Sequence, residues 1–299
     1  MIHHRMWNYV AMWLAMAMAM AMAMAFASPA FAAGKGPGAV RKQAEMSMVV
    51  TGQVRIAADG RVDDVRIDRE SEIPKAVADL IRQNVPQWRF EPLATPDAAA
   101  ATDTPMNLRV VARRLYGQAE EAYELRLGSA HFGRDEPSHL PSQAQMQPPT
   151  YPELAARSNV SGLVYVVARI GRDGRVEDAF AEQVNLNAVG SEAQMKRFRE
   201  LLAQSTLTTA RQWQFAPPTQ GPYADEAHWL VRVPVAYKLK RDKTPAYGQW
   251  DLYIPGPRQR APWIDADHDA TAGVDAFGDE RIQSVGRGRR LLTPIDRNS

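Results

Sequence analysis

The chain has 299 residues, with 36 basic and 34 acidic side chains, a formal net charge of +2 and no cysteine. That length admits two ordinary domains or one large one, and the balance of charge gives no long-range reason to expect nucleic acid or an anionic membrane as partner. Disulfides, thiolate metal sites and cysteine nucleophiles are excluded.

The N-terminus reads as an export signal. Arg5 precedes the apolar run "AMWLAMAMAMAMAMAFA", and Ser28, Pro29 and the small-residue site Ala30-Phe31-Ala32 follow. A charged start, an apolar stretch and an A-x-A ending predict a signal peptide over residues 1–32, cleaved near Ala32, with the remainder in the periplasm. The alternative is an uncleaved inner-membrane anchor over residues 10–27, whose 18 apolar residues lie at the lower edge of a bilayer span.

A repeat comes next. "RIAADGRVDD" (Arg55 to Asp64) returns as "RIGRDGRVED" (Arg169 to Asp178), and "QWRFEP" (Gln87 to Pro92) returns as "QWQFAP" (Gln212 to Pro217). In the first copy, Met46 to Ile67 carries two Val- and Ile-rich runs around Asp59-Gly60. Asp-Gly between such runs predicts a β-hairpin, because Gly takes the positive φ of the turn. Ile73, Val77, Leu80, Ile81 and Val85 then recur at helical spacing, with Pro74 near the start. Apolar runs from Met106 to Tyr116 and from Ala122 to Phe132 predict a closing strand and one extra strand. The Pro- and polar-rich stretch 133–149 reads as a linker.

The second copy repeats this order. Gly162 to Phe180 predicts a hairpin around Asp173-Gly174. Ser191 and Gln194 form a capping box, and Met195, Phe198, Leu201 and Leu202 mark an apolar helix face. His228 to Leu239 is the closing strand. Residues 242–299 are polar, lack periodicity and are expected to be poorly ordered. The predicted fold class is α+β: two tandem small domains, 40–132 and 150–241, each an antiparallel sheet with a helix packed on one face.

Candidate chemistry is sparse. Asp59, Gly60, Asp173 and Gly174 read as turn residues. Trp88, Phe90, Trp213 and Phe215 read as core anchors. No pair among the six histidines has metal-ligand spacing. Asp265, Asp267 and Asp269 match the opening of a calcium loop, but Ala270 and Ala276 replace its Gly and Glu. No phosphate loop or nucleophile elbow is present, so neither an enzyme nor a cofactor is expected.

The second copy resembles the C-terminal domain of the TonB energy-transducer family over about 95 residues. The residues carrying the likeness are Tyr151-Pro152, Gly162, Asp173 to Val176, Trp213-x-Phe215-x-Pro217 and the closing strand. The first copy keeps the turn and Trp88-x-Phe90-x-Pro92 but lacks the Tyr-Pro opening, and is taken as a diverged example. The resemblance implies binding of an extended segment of an outer-membrane receptor, or another envelope protein, along the last strand. Strand addition supplies the physics: unpaired backbone groups bind a peptide, and alternate side chains select it. Here that edge would use His228, Leu230, Arg232 and Pro234, with Gln147, Tyr151 and Pro152 on the approach.

Two features depart from the family's energy transducers. The apolar run 10–27 lacks the polar residues that couple to a proton-driven inner-membrane motor complex. Only about fifteen residues, roughly 50 Å if extended, separate the cleavage site from the first strand. The expectation is therefore a periplasmic binding module. An anchored energy transducer, and a structural envelope protein binding no peptide, stand as alternatives. Domain–domain or homodimer pairing is left open.

Overall fold

The computed structural model describes residues 36–92, 101–117, 121–133, 139, 141–264, 276, 282–286 and 288–295. The export segment 1–32, with its alternative anchor 10–27, and the calcium-loop stretch 265–275 lie outside the described residues. Among the described residues no helix is long and apolar enough to cross a membrane.

A short helix α1 (Pro37–Arg41) leads into β1 (Glu45–Ile56) and β2 (Val62–Ile67), followed by α2 (Lys75–Asn84). The loop joining β1 to β2 holds Gly60 at φ +84°, with the Gly60 amide donating to the Ala57 carbonyl and the Ala57 amide to the Arg61 carbonyl. The turn is thus four residues long, with a bulge at its exit. Pro74 is the N-cap of α2, and Val77, Ala78 and Ile81 are its buried face. β3 (Thr102–Leu115) and β4 (Ala122–Phe132) complete the first sheet.

The second half opens with β5 (Ser142–Gln145), inside the stretch read as a linker, and α3 (Glu153–Arg157). β6 (Gly162–Gly171) and β7 (Val176–Leu186) form the second hairpin, with Gly174 at φ +79°. The long helix α4 (Glu192–Ala210) starts on a complete capping box between Ser191 and Gln194. β8 (Gln214–Ala216) pairs with β5, and β9 (His228–Tyr237) closes the second sheet. The tail then adds β10 (Asp251–Tyr253) and β11 (Gln283–Ser284).

The protein is α+β with antiparallel sheets. In the first sheet β1 lies between β3 and a second neighbour shared by β2 and β10, and β4 lies outside β3. In the second the order is β11-β9-β6-β7. The two sheets share their central register. Ile56 faces Thr102 and Arg55 faces Asp103, as Ile170 faces Trp229 and Arg169 faces Leu230. β3 therefore corresponds to β9, and the place of β4 in the first sheet is taken by β11 in the second.

Each sheet buries one face under its helix. Met48, Val50, Val54, Ile56, Met106 and Leu108 pack with Trp88 and Phe90 below α2. Val164, Val166, Ala168, Val231, Val233 and Tyr237 pack with Trp213 and Phe215 below α4. Alternation along each strand delivers this, since every second side chain points the same way.

The described residues of the tail depart from the poor order expected of 242–299. β10 pairs with Glu45 to Ser47 of β1, and the next residue, Ile254, exchanges both backbone bonds with Leu186 of β7, at 2.8 and 3.1 Å. Four consecutive residues thus join the two sheets. Ala261, Ile264 and Val285 bury Val167 on the face of the second sheet away from α4, with Leu230 and Trp263 beside them. Leu291 bridges to Phe90, and the Arg289 amide donates to the Phe132 carbonyl. The described residues from Gly36 onward belong to one compact unit.

Candidate binding edge

The strand singled out in the sequence, His228 to Leu239, forms β9 over His228–Tyr237 and pairs along its whole length with β6. In an antiparallel strand the N–H and C=O of one residue point to the same side. Pro234 faces Tyr165 in the β6 ladder and has no N–H, so its backbone points to the outer edge. Its even-numbered neighbours share that direction. The Leu230 carbonyl accepts from the Val285 amide at 3.0 Å, and Arg232 pairs with Gln283. The tail therefore covers the outer side of β9 from Leu230 to Arg232. Beyond it, Pro234 and Ala236 make no outward backbone bond among the described residues, leaving two carbonyls and one N–H.

The expected partner-binding side chains are distributed unevenly along this edge. His228 is exposed, whereas Leu230 packs against the tail cluster of Ala261, Ile264 and Val285. Arg232 is 1% exposed and bonds in two places to Glu182, which is 0% exposed: Nε to Oε2 at 2.5 Å and Nη2 to Oε1 at 3.0 Å. Such a guanidinium cannot contact a partner without breaking a buried ion pair. Glu182 reaches it from a bulge in β7. Tyr165 faces Gln183 and Val166 faces Ala181, so Glu182 has no opposite residue in β6.

The approach segment is held to the core by its ends. Gln147 is exposed, and its carbonyl accepts from Trp213 Nε1 at 2.9 Å. The Tyr151 hydroxyl donates to the Val160 carbonyl at 2.7 Å, and its ring meets Tyr237 edge-on at 5.3 Å. Pro152 is the N-cap of α3. Tyr237 lies below α4, where its hydroxyl meets Thr206 Oγ1 at 2.8 Å. Burial raises the pKa of both tyrosines above the ordinary phenol value, so both are neutral at physiological pH.

The turn and core residues occupy matching places in the two halves. Asp59 Oδ1 accepts from the Arg61 amide, and Asp173 Oδ1 from the Arg175 amide. The Asp59 carboxyl is held below its usual range, first by that backbone bond. Trp88, Phe90, Trp213 and Phe215 are all buried.

Sequence reasoning missed the cleft beside the open end of β9. It has a volume of about 730 Å³ and is bounded by Ala236 to Lys238, by Ser47, Val49 and Thr51 on the outer face of the first sheet, and by the segment Arg241 to Gln249. No local pattern announces it, because its walls come from stretches far apart in the chain, Arg109, Ser161 to Leu163 and Asn187 among them. Among the described residues no cluster of three or more His, Asp or Glu side chains could hold a metal ion. No family model and no curated protein matches this chain.

Proposed function

We propose that this is an interaction protein of the periplasm, built from two TonB-C-terminal-like halves, that holds an extended segment of an envelope or outer-membrane receptor protein at the outer edge of β9. One observation carries the reading. The β9 edge already accepts an antiparallel strand, since Gln283 and Ser284 pair with Arg232 and Val231. A ligand strand would extend that pairing past Pro234 and Ala236 into the cleft. Its selectivity would rest on the exposed position Ala236 beyond the tail rather than on Arg232, which is buried. Inner-membrane anchoring and motor coupling would require the segment 10–27 to be retained.

A second reading is favoured by the tail. Residues 283–285 cover Leu230 to Arg232, and Pro234 removes a donor from the remainder, two recognised ways of blunting an edge. A structural envelope protein needs no more than this. The test is a photo-crosslinking residue at Ala236, compared with one at exposed Leu154 on α3, in intact cells. Adducts to a receptor's extended segment at position 236, and none at 154, support peptide binding. A folded protein that yields no adduct at either position overturns it in favour of the structural reading.

A further inference from the structure

We infer that β4 is a self-association edge, which pairs antiparallel with β4 of a second copy about a two-fold axis through Leu125. Within its sheet β4 is bonded to β3 alone. On its outer side the Phe132 carbonyl takes the Arg289 amide, but from Ala122 to Leu125 no described group pairs with it. A long unpaired edge is a template for another strand unless proline, lysine or a covering segment blunts it. β9 has both a proline and a cover; Ala122 to Leu127, read as Ala-Tyr-Glu-Leu-Arg-Leu, has neither. Exposed apolar side chains lie at one end of the same hairpin. Leu115, Tyr116 and Tyr123, 37%, 47% and 44% exposed, all lie on the β3–β4 hairpin.

The side chains choose the register. Opposite residues in an antiparallel pair share a face of the sheet, so two-fold pairing must place some residue opposite its own copy. An axis at Glu124 sets two carboxylates together, and one at Arg126 sets two guanidinium groups together. An axis at Leu125 places Glu124 opposite Arg126 twice, Tyr123 opposite Leu127 and Ala122 opposite Gly128. The Glu124 side chain makes no ion pair or hydrogen bond among the described residues, while its backbone pairs with Arg113 of β3. Arg126 is held in place by Glu45 at 3.1 Å, so its fork is already oriented on the face that Glu124 of the second copy would meet. Opposite charges directly across a strand pair stabilise it, and like charges do the reverse.

The absence of native cysteine makes a direct test simple. Leu125→Cys places its sulfur opposite its own copy, with Cα atoms about 4.5–5.5 Å apart, inside disulfide range. Tyr123→Cys places it about 14 Å from its copy, four residues out of step, and cannot bridge. The purified chain is expected to show dimer mass by light scattering, to cross-link on mild oxidation as Leu125→Cys, and to stay uncross-linked as Tyr123→Cys. Glu124→Arg, folded by circular dichroism, is expected to weaken the dimer roughly tenfold. Folded Leu125→Cys that stays monomeric, or Tyr123→Cys that bridges equally well, overturns the proposal. Neither result depends on whether the β9 edge binds a peptide.

Discussion

The Phe215 amide donates to the Gly174 carbonyl at 2.8 Å, and the Phe90 amide makes the same bond to the Gly60 carbonyl at the same distance. The two phrases repeated in the sequence are therefore the two sides of one contact, hairpin turn against helix exit, built twice. Each glycine meets the returning backbone so closely that a Cβ would lie 2.0 Å from the phenylalanine's carbonyl oxygen, and each has positive φ. Gly174→Ala and Gly60→Ala are each expected to destabilise by about 2 kcal/mol or more, from strain plus displacement of the phenylalanine. Asp173→Ala, which loses one exposed turn bond, should cost about 1 kcal/mol or less. Urea unfolding of the three variants tests the order. Equal losses would disprove the close contact.

The Arg232–Glu182 pair makes a different prediction. Removing one partner leaves a charge in a site from which water is excluded, so Arg232→Met or Glu182→Leu alone should cost about 3–5 kcal/mol. The double variant Arg232→Met/Glu182→Leu should recover most of that loss, because neither charge is then left buried without the other. A double-mutant cycle on thermal melting measures the coupling. Additive losses would mean that the two side chains act independently.

Tyr237 links stability to pH. Burial raises its pKa, so the neutral form is the one the fold favours. The sign follows: its contribution is complete below the ordinary phenol value of about 10 and is lost as pH rises through the higher folded value. Tyr237→Phe removes the bond to Thr206 and should cost about 1 kcal/mol at neutral pH. The difference between the two proteins should shrink as pH rises above about 10. A gap independent of pH between 7 and 11 would show that the hydroxyl is not buried in solution.

The parts legible in the sequence are those with local causes. The turns follow from Asp-Gly, α4 from Ser191, Gln194 and an apolar face at 3.6 spacing, and the aromatic anchors from Trp-x-Phe. The difference in length between the copies also has a local form, because β7 has 11 residues against 6 in β2 and α4 has 19 against 10 in α2. What stayed hidden is non-local. β10 has three residues and β11 two, too few to show a strand's alternation, and each exists because an unpaired edge elsewhere accepts it. The bulge at Glu182 has no sequence mark, so Arg232 read as an outward-facing residue of an edge strand. Pro234 was the readable clue, since proline in a strand fixes which side of it lacks a partner.

The tail supplies the last prediction. Residues 247–254 tie the two sheets together: the Tyr247 hydroxyl donates to the Asp68 carbonyl at 2.7 Å, Trp250 packs on the first core, β10 pairs with β1, and Ile254 bonds to Leu186. Residues 261–264 then cover Val167 and Leu230 on the second sheet. A chain ending at Lys243 would expose that apolar surface and leave the backbone of Leu186 without its partner. Burial at roughly 25 cal/mol per Å² over several large side chains makes the expected loss about 4 kcal/mol or more, most of a marginal domain's stability. A chain ending at Ile264 keeps β10 and the cover and should lose less. Hydrogen exchange separates the two: ending at Lys243 should raise exchange at Leu186 and along β6, whereas ending at Ile264 should affect the β9 amide at Arg232, which β11 no longer pairs. Equal protection of Leu186 in both would show that the tail rests on the fold without holding it.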